Sequence, residues 1–174
     1  MTDDENFELA YRNLLQAEGG YTSGKNQIRD MPTNMGITSA TLARYRAVHP
    51  GAGLPANVRD ITPTHARMIY KSEYWSNTQI PNIHNPRIRN AVFDMNVMGG
   101  AGRVVQRALN AFLNARLVVD GRIGPATVAA LNSVPASQTD AFMDALKTWR
   151  IKYLQQTPNW PTAKNGWVRR TNKY

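Results

Sequence analysis

Twelve carboxylates stand in this chain, and most have an evident structural duty. Asp3, Asp4, Glu5 and Glu8 lie in the first turns of a predicted helix, where acids meet the positive end of the helix dipole. Asp140 and Asp144 open a later helix in the same way. Asp120 precedes a glycine in a turn, and Asp60 sits just ahead of Ile61-Thr62-Pro63 as a loop or cap residue. Glu18, Asp30, Glu73 and Asp94 remain. Glu18 stands apart. With Phe7, Tyr11, Leu14 and Leu15 it falls on one face of a helical repeat, at the C-terminal end. Partial burial and the negative helix end both favour the protonated acid. Gly19-Gly20 removes side chains directly beyond it and leaves room for a substrate. A carboxylic acid kept protonated beside an open groove is what proton donation to a glycosidic oxygen requires. The same residue could instead pair with an arginine near the helix end, and residue type and spacing leave both readings open.

The elements that would position these residues are mainly helical. The first helix stops at Gly19-Gly20. Residues 21–38 carry Gly24, Pro32 and Gly36 without helical period and read as loop with a short hairpin. Helices follow over about 38–48, from Thr62-Pro63 to about Trp75, and from Asn85-Pro86 to about Gly99-Gly100. Val104–Leu113 is helical by pattern, and Gly124-Pro125 starts a short helix. Ser137-x-x-Asp140 resembles a capping box for a long helix to about Gln156, stopped by Pro158. Residues 95–103 form a possible seam between two lobes. The fold expected from these elements is a mainly α (α+β) single domain, with one region over 1–94 and a second, helical region over 95–174, packed as one globular unit.

Charge and composition narrow the function classes. The net charge is +9, and residues 1–18 hold five acids against Arg12 alone, which leaves +13 on the rest. Such a surface seeks a polyanion. No apolar run approaches the ~20 residues of a membrane span. There is no Cys, and His49, His65 and His84 lack metal-ligand spacing, so no metal and no cofactor is expected. The acidic, polar start, Met1-Thr2-Asp3-Asp4-Glu5, is unlike a secretory signal. The expectation is synthesis in a cytoplasm without export by the usual route.

Five stretches in order add a resemblance. Glu18-Gly19-Gly20-Tyr21 and Thr33-Asn34-Met35-Gly36-Ile37-Thr38 are similar to the E-G-G-Y … T-N-x-G-I-T signature of glycoside hydrolase family 108, the phage and bacterial muramidases. Ala91–Val97 resembles that family's "FDxxVN" helix. Val105–Asn110 with Val119–Thr127 resembles its peptidoglycan-binding segment, and Gly166-Trp167-Val168-Arg169-Arg170 its closing "GWxxR". The resemblance spans roughly residues 7–170. It implies a lysozyme-like catalytic region over 1–94, a peptidoglycan-binding region over 95–174, and an N-acetylmuramidase of phage endolysin type, made in a bacterial host cytoplasm and acting on the wall after release, with Glu18 as catalytic acid. In phage-type lysozymes the acid is followed nine residues on by Asp and fifteen on by Thr. Here the second offset lands on Thr33, which would orient water, but the first lands on Gln27. Either the loop has shifted and Asp30 takes the carboxylate position, or Gln27 or Asn26 positions water beside Glu18 alone.

Tyr21, Gln27, Asn34 and Trp75 are the expected substrate contacts, although Trp75 also fits core packing. Asp94, in an apolar helix, reads as a buried acid capping a neighbouring loop. The expected partner is bacterial peptidoglycan, with anionic envelope polymers or lipids meeting the basic surface, including the tail from Lys164 to Lys173. A monomer is expected, and no nucleic acid, since no helix-turn-helix, zinc or aromatic-strand signature is present. A lytic transglycosylase, which also uses one Glu, and a non-catalytic wall-binding module are the rival readings.

Overall fold

The computed structural model describes residues 1–16 and 32–174. Helix α1, Asp3–Leu15, opens with a reciprocal capping box: the Glu5 amide donates to Thr2 Oγ1 (3.2 Å) and the Thr2 amide to Glu5 Oε2 (2.6 Å). Its inner face is Phe7, Ala10, Tyr11 and Leu14, while Leu15 is exposed. Strands β1 (Thr33–Asn34) and β2 (Ile37–Thr38) pair antiparallel, Thr33 opposite Thr38 and Asn34 opposite Ile37. Thr38 then caps α2, Ser39–Val48, accepting from the Thr41 amide.

Helix α3, Pro63–Tyr70, begins at the expected Thr62-Pro63 cap. The expected single helix to Trp75 is instead interrupted: Lys71–Ser76 is wound as a π-helix. Helix α4, Pro86–Met98, starts at Asn85, whose Oδ1 accepts from the Arg87 and Ile88 amides. Gly99 and Gly100, with φ of 102° and 84°, separate it from α5, Ala101–Leu113. Helices α6 (Pro125–Asn132) and α7 (Thr139–Gln155) follow. Ser137 does not cap α7, which begins from a 3-10 turn at Ala136–Gln138. A last helix, α8, Trp160–Thr171, occupies what reads in the sequence as a short basic tail.

One buried apolar cluster runs through both parts of the chain, from Phe7 and Tyr11 through Phe93 to Val105, Phe142 and Leu146. At its N-terminal end Phe7 meets Trp75 and Phe93 edge-on, at 5.7 and 6.0 Å between centroids. At its C-terminal end α5 packs along α7, with Phe112 edge-on to Phe142. Mainly α with a small hairpin is the architecture expected from the sequence.

Candidate active site

The hairpin is the best-defined part of the site. Met35 and Gly36 form its two-residue turn with φ of 51° and 78°, the left-handed pair that matches the twist of antiparallel strands. Glycine accepts this conformation freely; Met35 is held in it by its carbonyl, which accepts from the Tyr70 hydroxyl at 2.7 Å. Tyr70 in turn lies 5.4 Å from the Tyr11 ring on α1. An α1–α3–hairpin stack thus fixes Thr33 relative to the end of α1.

Asn34 is buried, and its amide nitrogen reaches the carbonyls of Val58 (3.1 Å), Arg59 (3.2 Å) and Ile61 (3.4 Å). Its side chain therefore holds the 58–61 turn and does not face solvent. Of the residues expected to touch glycan, Asn34 is an anchor in this structure, because an amide committed to three carbonyls has no donor to spare. Trp75 is also corrected. It is fully buried, with Phe7 and Phe93 against its ring and its indole N–H donated to Asp3 Oδ1 at 2.9 Å, so no sugar face reaches it. Glu18, Asp30, Tyr21 and Gln27 lie outside the described residues. Thr33 is in place on β1, half-buried.

Other acids prove structural. Glu8 pairs with Arg67, Asp4 with Lys71 and Asp140 with Arg87. The Lys71 ammonium beside Asp4 holds that carboxyl below the usual range. Asp94 is buried, and among the described residues it pairs with a helix in place of capping a loop: its Oδ1 accepts from Arg170 Nε of α8 at 2.8 Å. As a basic tail the stretch with Arg170 has no fixed position from which to meet Asp94; as helix α8 it does. Close by, Arg150 is almost fully buried and donates to the Gly99 carbonyl at 2.7 Å, and its burial lowers its pKa. Tyr11 is buried, and burial with Glu8 alongside pushes its phenol up to about 12, Arg67 pulling the other way. Tyr70 is the residue of the site that sequence reasoning missed. Its place with Ala66 and Ile69 on the apolar face of α3 was the available signal.

Between the end of α1 and α8 lies an open pocket of about 540 Å³. Gln16 lines one side and Trp167, Arg169, Arg170 and Lys173 the other. Among the described residues no group of histidines and acids could hold a metal ion.

The comparisons with known proteins give this helical body and its pinned hairpin a family. Residues 11–100 match the sequence model of glycosyl hydrolase 108, and the chain belongs to that family. Residues 100–172 match the model described as a predicted peptidoglycan domain. Among solved structures, SagA of Brucella abortus is similar at 26% identity and a TM-score of 0.76, over 98% of this chain and 91% of that one. No curated protein matches. Peptidoglycan is accordingly the partner, and the chain is a peptidoglycan hydrolase.

Proposed function

We propose that the chain is an N-acetylmuramidase, cleaving the β-1,4 bond between N-acetylmuramic acid and N-acetylglucosamine, with Glu18 as general acid. The observation that carries this reading is the hairpin. Thr33 sits fifteen residues after Glu18, on a strand whose register, turn and anchor are all fixed by buried contacts. A hydroxyl held this firmly is suited to orienting a water molecule. Glu18 would protonate the leaving oxygen, and Thr33 would hold the water that attacks the sugar. Asp30 would stabilise positive charge developing on the sugar or help activate that water, with Gln27 as the alternative occupant of the position. The setting we favour is a phage endolysin made in the host cytoplasm and acting on the wall after release.

Digestion of purified peptidoglycan with mass analysis of the products tests this directly. Reducing muramic ends are expected; 1,6-anhydro ends would make the chain a transglycosylase, and intact sacculi a binding module. Glu18→Gln should lower turnover at least ~100-fold, the usual worth of general acid catalysis, with an unchanged melting temperature. Asp30→Asn should cost ~10-fold in the same assay if Asp30 fills the second position. A silent Asp30→Asn with a harmful Gln27→Ala would give that position to Gln27.

A further inference from the structure

The pocket between α1 and α8 has the makings of a binding subsite. Gly166, Arg169, Arg170 and Lys173 recur at helical spacing and so share one stripe of α8 and its C-terminal extension. The stripe is open at Gly166: among the described residues a Cβ there would meet the Arg169 guanidinium at 3.9 Å, an ordinary contact. Arg170 is committed to Asp94 on α4, and this fixes the helix in place. Arg169 and Lys173 are exposed and have no carboxylate partner among the described residues. Trp167 is half-buried beside them, braced against Trp160 at 6.4 Å between centroids. Gln16, which follows α1 and stands two positions before Glu18 in the sequence, also lines the pocket, with Met98 of α4.

We propose that this pocket is a carboxylate subsite of the cleavage groove, in which Arg169 and Lys173 take a carboxylate of the peptidoglycan strand and Trp167 packs against the adjoining sugar or peptide. The inference rests on the muramidase reading above. Two features select this ligand. Among the described residues the lining of the pocket is basic and includes no acid, which suits a discrete anionic group more than a flat lipid surface. It also joins the end of the helix that leads to the candidate acid with a helix of the segment matching the peptidoglycan-binding model. The C-terminal segment would then help position the strand for cleavage, in addition to holding the wall. Peptidoglycan offers two such carboxylates: those of the stem peptide, and that of the muramyl lactyl group once the peptide is removed.

Co-sedimentation with purified sacculi, in a Glu18→Gln background that stops turnover, measures the effect. Arg169→Glu with Lys173→Glu should weaken binding at least ~10-fold, as loss of charge-assisted contacts predicts. Arg44→Glu with Arg46→Glu makes the same charge change on the exposed face of α2 and should cost no more than ~3-fold, the screened long-range part. Equal losses in the two pairs would overturn the subsite in favour of general attraction. Melting temperatures, and the milder pair Arg169→Gln with Lys173→Gln, separate a binding defect from a folding defect; wild-type affinity in the milder pair would also overturn the proposal. Repeating the assay on amidase-stripped glycan strands assigns the source. A loss that persists there points to the lactyl carboxylate, and one confined to intact sacculi points to the stem peptide. Sacculi left intact by the wild-type chain would remove the muramidase reading itself, an outcome distinct from any of these.

Discussion

Two buried amides do parallel work in the two halves of the molecule, and they do it differently. Among the described residues Asn34 uses its nitrogen alone, spread over the carbonyls of Val58, Arg59 and Ile61. Gln106 uses both ends: Nε2 donates to Asp120 Oδ1 (2.9 Å), the Arg122 carbonyl (2.8 Å) and Thr127 Oγ1 (3.3 Å), while Oε1 accepts from the Gly121 amide (3.0 Å). The C-terminal loop is thus clamped through donors and acceptors, and a helix approaches it closely. The N-terminal turn hangs from a hairpin two residues wide whose neighbouring residue is Thr33. Architecture and chemistry share one small element there, whereas around Gln106 the polar network serves the fold alone.

The largest effect should come from the closest approach in the clamp. A Cβ on Gly102 would stand 1.9 Å from the Gly121 carbonyl oxygen, and that oxygen is backbone in a fixed loop. Gly102→Ala gains up to ~1 kcal/mol of helix propensity. The overlap should outweigh this and leave a net loss of about 3 kcal/mol, near the upper end of overpacking costs. Chemical denaturation checks the figure. A variant as stable as wild type would show the 117–122 loop to be loosely held and would dissolve the contrast with the hairpin.

The amides themselves sharpen it. Asn34→Ala and Gln106→Ala each leave buried peptide groups unpaired, so each should cost about 2 kcal/mol. Their activities should diverge. Well below its melting temperature, Gln106→Ala should turn over peptidoglycan like wild type. Asn34→Ala should lose ~10-fold, since a displacement of about 1 Å at a catalytic group is enough for losses of that order or more. Equal activities in the two variants would mean that Asn34 and Thr33 are uncoupled.

Much of this was legible from local chemistry. Thr62-Pro63, Asn85-Pro86 and Gly124-Pro125 start helices because cap and N1 preferences are short-range properties of the backbone. Asp120-Gly121 turns as expected, with Asp120 Oδ1 accepting from the Arg122 amide and Gly121 at φ 82°. What failed depends on distant partners. Helix α8 contains Pro161 and Gly166 and few apolar residues, so its helicity comes largely from packing on α7 and from the Arg170–Asp94 pair, 76 residues apart. Trp75 is buried, as its residue type favours, but the rings that surround it cannot be read locally. The π-turn that carries it, and the Phe7 and Phe93 rings that enclose it, are not local features. In the candidate site the hairpin was legible because the turn uses Gly36, whereas Thr33 came from the resemblance, by its offset of fifteen from Glu18. The anchoring role of Asn34 was hidden in residues 24 to 27 positions away.

The smallest effect belongs to two buried phenols, one in each half. Burial raises the pKa of Tyr11, in the N-terminal half, and of Tyr174, packed near Asp94 and Arg150. Tyr11 Oη has no hydrogen-bond partner among the described residues, and the charges that act on it are Glu8 and Arg67. Tyr11→Phe at neutral pH should therefore leave stability unchanged or raise it by up to ~1 kcal/mol, because it removes a buried polar atom without orphaning another. Alkaline pH brings out the remainder. The unfolded phenol ionises near 10 and the folded one near 12, so the folded state holds the extra proton between those values. Stability is then complete below pH 10 and falls as pH rises toward 12, by on the order of 1–2 kcal/mol from Tyr11. Tyr11→Phe should flatten the wild-type decline between pH 10 and 12 without abolishing it, because Tyr174 contributes with the same sign. Parallel declines in the two proteins would show that Tyr11 is already hydrated in the native state, and the N-terminal half would then be looser around α1 than its packing indicates.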